Sequence, residues 1–193
     1  MRARASLAVV ACSAASVAAA CAPRPAAKIQ AGMATMEREQ KADKLLARGR
    51  AFAEVGDLTR AEQYLAAALD AGASAEATLP LLIHVCTESQ RYRVAIAYAE
   101  NHLRTHPGDL KLRYLVGTLY AGVHDGPSAK AALEAVVLGD PTHAYAHFAL
   151  AAVLKYRLAD PLGADAHYRE YLRLSPKGPH ADEARASLLK SLP

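Results

Sequence analysis

Apolar residues fall three and four apart along most of this chain, the spacing that lines one face of an α-helix. Leu45, Gly49 and Phe52 form one such stripe. Gly56-Asp57 interrupts it, and Ala61, Leu65, Ala68 and Leu69 form the next. No stretch sustains the period-two alternation of a half-buried strand. The pattern predicts short helices in pairs, joined by tight turns.

The pairs repeat. Ala61, Ala95 and Ala129 are 34 residues apart, and Ala164 follows at 35. The same shift aligns Gly49 with Gly117, and Phe52 with Cys86, Tyr120 and Leu154. Leu65, Ala99 and Leu133 form another column, with Tyr168 one residue late, and Pro107, Pro141 and Pro176 another. Turn chemistry recurs with this period. Asp125 and Asp160 stand where an N-cap is needed, with Pro127 and Pro161 just inside the following helix. Columns that move together mark a copied two-helix unit.

These columns resemble tetratricopeptide repeats (TPR), which place small residues where paired helices touch and Pro near the end of each unit. The units are 42–75, 76–109, 110–143 and 144–178, within an array spanning 37–178. Three departures stand out: Ala73 stands where Pro is usual, Ile83 replaces the small residue of its column, and the last unit carries one inserted residue. The resemblance implies an all-α fold, a right-handed α-solenoid of about four helix pairs. Residues 179–193 are expected to form a capping helix, with Ala181, Ala184, Leu188 and Leu189 turned inward, since a solenoid's last unit otherwise exposes an apolar face.

The N-terminus has a different pattern. Met1 to Arg4 is basic, Ala5 to Ala22 carries no charge, and Ala18-Ala19-Ala20 precedes Cys21, the layout of an export leader. This resembles a bacterial lipoprotein precursor, which implies a signal peptide over 1–20 and lipid on Cys21. In that class Ala22 implies sorting to the outer membrane. Ordinary cleavage and an uncleaved anchor are the alternatives. Residues 21–36 are expected to be an extended linker, because Pro23 and Pro25 disfavour helix.

Composition changes little in this picture. The 193 residues include 45 alanines, which favour close-packed helices. Without Arg2 and Arg4, 21 basic residues face 19 acidic ones, so charge gives no reason to expect nucleic acid. Cys12 belongs to the leader and Cys21 to the anchor, which leaves Cys86 as a lone thiol in an apolar column.

In TPR arrays the first helix of each unit lines a groove that takes peptide or protein segments. The outward columns here give Leu46, Arg50 and Glu54, then His84, Thr87 and Glu88. Lys111, Tyr114 and Thr118 follow, then Tyr145, Phe148, Lys155 and Tyr156. The candidate site is Arg50, His84, Lys111, Tyr114, Thr118, Phe148, Lys155 and Tyr156, with aromatics as anchors. Packing of Tyr145 or Phe148 against a neighbouring helix or the cap is the alternative. One TPR subclass clamps a terminal carboxylate with asparagines in the column that here reads Arg50, His84, Thr118 and Ala152, so that clamp is missing.

The histidine pairs His102/His106 and His143/His147 have metal-ligand spacing, but Pro107 and Pro141 put His106 and His143 at unit boundaries and no further ligands complete a set. No phosphate loop or nucleophile motif is present, and no cofactor is implied. The expected function is a non-enzymatic adaptor of the bacterial envelope, held by lipid at the periplasmic face of the outer membrane. It would bind a protein or peptide segment and assist pilus or outer-membrane assembly. An accessory subunit of a peptidoglycan-remodelling or hydrolytic enzyme, or such an enzyme itself, is the alternative. Self-association is a further one.

Overall fold

The computed structural model describes residues 25–190; the leader and Cys21 lie outside them. The described residues form nine helices and no strand: α1 Pro25–Glu54, α2 Leu58–Asp70, α3 Ala75–Glu88, α4 Tyr92–Thr105, α5 Leu110–Gly122, α6 Gly126–Gly139, α7 Ala144–Arg157, α8 Pro161–Leu174 and α9 Ala181–Ser187. The described residues divide into two units at Met36/Glu37. Within the second, successive helices pack against each other as an α-solenoid of helix pairs with a C-terminal helix. No helix among the described residues is long and apolar enough to cross a membrane.

Side-chain caps start the helices. Asp57, Asp109, Asp125 and Asp160 each accept the backbone N–H three residues on, at 2.9–3.1 Å. This satisfies one of the amides that a helix start leaves without a partner. Before the second helix of each pair, one residue takes a left-handed conformation: Gly56 (φ 75°), Gln90 (φ 59°), His124 (φ 65°) and Ala159 (φ 53°). Arg91, which follows Gln90, makes no capping bond. Its guanidinium instead pairs with Glu62 on α2.

Small residues let paired helices approach. A β-carbon at Gly49 would lie 2.7 Å from Leu65, and one at Gly117 would lie 2.7 Å from Leu133. Ala61, Ala68, Ala95, Ala99, Ala129 and Ala164 are buried at the other helix contacts. The apolar interior forms two clusters. The first runs from Leu46 to Leu119, and the second from Ala129 to Ala184. Tyr120 packs against both. Its hydroxyl donates to Glu100 at 2.6 Å, and burial with that carboxylate pushes the phenol up to about 12.

Two expectations are corrected. Residues 25–36 are helical rather than extended. Proline lacks only an N–H that a first helical residue does not use, so Pro25 can open α1, and Ala26 to Lys44 contains just one Gly and no Pro. The capping helix is also shorter than expected. It stops at Ser187, and Leu188 is extended (ψ 147°). The buried Asp165 carboxylate captures the Leu189 amide at 2.8 Å while Arg169 holds its other oxygen at 2.6 Å. A buried carboxylate needs such partners, so this tie competes with continuing the helix. Leu188 still packs on the second cluster.

Candidate functional site

The residues of the candidate site lie on the first helices of the four pairs. Arg50 on α1 and Lys111 on α5 are exposed, and so is His84 on α3, whose Nε2 is 3.5 Å from Glu88. Thr118 is half-buried, with its hydroxyl donating to the Leu115 carbonyl at 2.7 Å. Leu46 departs from the expected outward column. It is 9% exposed and belongs to the first apolar cluster with Leu79, Leu82 and Ile83.

The aromatics fall into two groups rather than one patch. Tyr145 and Phe148 occupy the start of α7, and Tyr156 its last turn, about 12–16 Å away along the axis at 1.5 Å per residue. In the first group the Phe148 ring stacks on His180 at 4.2 Å and meets Tyr171 at 5.3 Å and Tyr168 at 5.7 Å. Phe148 is therefore half-buried against α8 and the α8–α9 turn. Tyr145 remains 47% exposed, edge-on to His180 at 6.2 Å. Tyr114 on α5 rests 4.9 Å from the His143 ring, and burial, then Tyr145, raises its phenol above the ordinary value. In the second group Tyr156 is 59% exposed, with the Lys155 ammonium 5.2 Å from its ring centre. That is cation–π distance.

His143 and His180 complete the first group although their positions show no aromatic column. Their contacts are made across turns, between residues far apart in register, so the 34-residue pattern could not reveal them. Pro80 is the other unforeseen member. It shares a register position with Leu46, Tyr114 and Phe148, each 34 residues apart. Pro80 lines a cavity of about 520 Å³ together with Leu79, Lys111, Leu112 and Leu115. The stacked rings of His102 and His106, 4.2 Å apart, stand at the same cavity. A cavity of about 640 Å³ lies between α4, α5 and α6, lined in part by Arg104, Arg113 and Glu100.

Among the described residues no three His, Cys, Asp or Glu side chains gather closely enough to hold a metal ion. Cys86 is fully buried, and burial, followed by the Glu62 charge, pushes its thiol up to about 11. A thiol held so high is protonated at neutral pH and a poor nucleophile.

No family model matches the chain, and no curated protein sequence matches it. Solved structures do. YrrB, described as a TPR protein with an unusual peptide-binding site, superposes with a TM-score of 0.65 at 17% identity, over 83% of this chain and 86% of that one. The fold is that of a tetratricopeptide-repeat protein. Two further solved structures have the same backbone architecture. A tetratricopeptide repeat protein from Parabacteroides merdae gives 0.67 at 18% identity, over 77% of this chain and 59% of that one. MamA from Desulfovibrio magneticus gives 0.60 at 22% identity, over 72% and 77%. The TPR likeness is thus one of backbone architecture, with the surface residues of this chain its own.

Proposed function

We propose that this chain is a non-enzymatic adaptor whose repeat array holds a segment of another protein against the exposed face of its first helices. The observation that carries this reading is the set of solvent-facing aromatic and cationic residues on those helices. Tyr145 and Tyr156 on α7 are about half exposed, and Arg50, His84 and Lys111 are exposed on α1, α3 and α5. Aromatic and Arg side chains dominate binding energy at protein interfaces, and an array of stacked hairpins offers an extended surface for them. The peptide-binding site in the description of YrrB supports the same role on this backbone. The leader pattern supports a cell-envelope setting, with lipid on Cys21 holding the array at the periplasmic face of the outer membrane and pilus or outer-membrane assembly as the process served.

Site-specific photocrosslinking in intact cells tests the binding face. A crosslinker at Tyr145 or Tyr156 should capture one defined protein, while one at Leu138, exposed on α6, should not. Equal capture from both positions would remove the support for a dedicated face. The anchor is tested separately: Cys21→Ser should abolish fatty-acid labelling, and persistent labelling would exclude Cys21 as the lipid site.

A further inference from the structure

Three imidazoles, two at the start of α7 and one on α8, have their protons assigned by their partners. His143 is the N-cap, and its Nδ1 accepts the Ala146 N–H at 3.1 Å. A nitrogen that accepts must carry a lone pair, so the proton of the neutral ring sits on Nε2. His147, one turn on and 5% exposed, places Nε2 3.1 Å from the Pro141 carbonyl oxygen. A carbonyl only accepts, so His147 donates from Nε2 and keeps its lone pair on Nδ1. That Nδ1 faces the Nδ1 of His167 on α8 at 3.0 Å, and the shared hydrogen must come from His167. The matching position one unit earlier needs no neutral ring, because Asp109 caps α5 with a carboxylate.

We propose that His143, His147 and His167 make the α6–α7 turn a pH-sensitive joint, which docks the first turn of α7 while the rings are neutral and loosens it when they take up protons. Imidazoles as a class change charge between pH 5 and 8. An imidazolium has hydrogen on both nitrogens. Protonated His143 can no longer accept the Ala146 amide, which is left with the His143 carbonyl alone at 3.0 Å. A proton on Nδ1 of His147 sets two N–H groups against each other at 3.0 Å and puts a charge in a buried site.

The surroundings oppose one another. Glu134 from α6, itself near Lys130, and Asp160 and Glu170 from α8 and its cap favour a proton on His167. Asp140 in the turn lies close enough to His143 and His147 for their charge to bear on it. Tyr114 from α5 packs on His143, and His180 from the α8–α9 turn stands beyond Tyr145. Burial and then the neighbouring His147 prevail, holding His167 below the ordinary histidine value. Tyr145 and Phe148 ride on the same turns of α7, so the joint also sets their position. It stands whether or not those side chains bind a polypeptide.

The test reads tautomers and local opening on the expressed chain. Nitrogen-15 NMR of the imidazoles at pH 7.5 should show Nε2–H on His143 and His147 and Nδ1–H on His167. Between pH 7.5 and 5.5, after correction for intrinsic exchange, protection of the Ala146 and His147 amides should fall by more than about tenfold while α3 holds. The double variant His143→Asp, His167→Gln should keep that protection. Nδ1–H on His147 at neutral pH, or equal loss of protection in wild type and double variant, would overturn the joint.

Discussion

At Gly117 the packing has no room for a methyl group, because its β-carbon would sit 2.7 Å from Leu133. Gly117→Ala should therefore overpack the third helix pair and cost about 1–3 kcal/mol, read from the midpoint of urea unfolding. The second pair shows the other solution to the same contact. Ile83 stands in the glycine column there, Ala99 stands in the column of Leu65 and Leu133, and both are buried. The bulk has changed sides. Leu133→Ala alone should cost about 2–5 kcal/mol through the cavity it leaves. Combined with Gly117→Ile it should cost clearly less than the two single changes added together. Strict additivity would mean that the columns do not face each other. The departure at Ile83 was visible in sequence, but its compensation at Ala99 reads as ordinary until the two helices are packed.

Among elements, the turns within pairs share a rule that only one residue announces. Gly56, Gln90, His124 and Ala159 all adopt positive φ, yet only the first is the residue to which that conformation comes freely. Ala159→Gly should relieve strain and raise stability by roughly 1 kcal/mol, as should Gln90→Gly, when thermal unfolding is compared with wild type. No gain at either position would mean that their turns relax at no cost. Helix number, pairing and Asp caps were legible because each depends on residues within one 34-residue unit. The length of α9 was not, since Leu189 leaves the helix for Asp165, 24 positions back. Nor was the burial of Leu46, which depends on neighbours in other units; for Phe148 the sequence left groove-lining and packing both open, and the stack on His180 decides for packing. The candidate face was thus readable as columns, while its division into two aromatic groups was a matter of tertiary contact.

For the whole molecule, acid should act in two windows. His167 has a lowered affinity for protons in the fold, so the unfolded chain takes them up first. Stability is complete above about pH 6.5 and declines as pH falls through the histidine range. The Asp165 carboxyl is held below its ordinary value, chiefly by Arg169 and with help from the Leu189 amide. Its contribution is complete above about pH 4 and is lost on further acidification, as the unfolded chain again binds protons first. Asp165→Asn should flatten the lower window and leave the upper one intact in urea titrations at stepped pH; a change in the upper window alone would contradict this assignment. The two apolar clusters raise a different matter, that of mechanical load. Tyr120 is a partly buried side chain packed against both. Stretched between its ends in an optical trap, the array should lengthen in two successive jumps, and Tyr120→Ala should set their forces further apart. On this expectation one part of the chain would give way under tension while the rest keeps its grip.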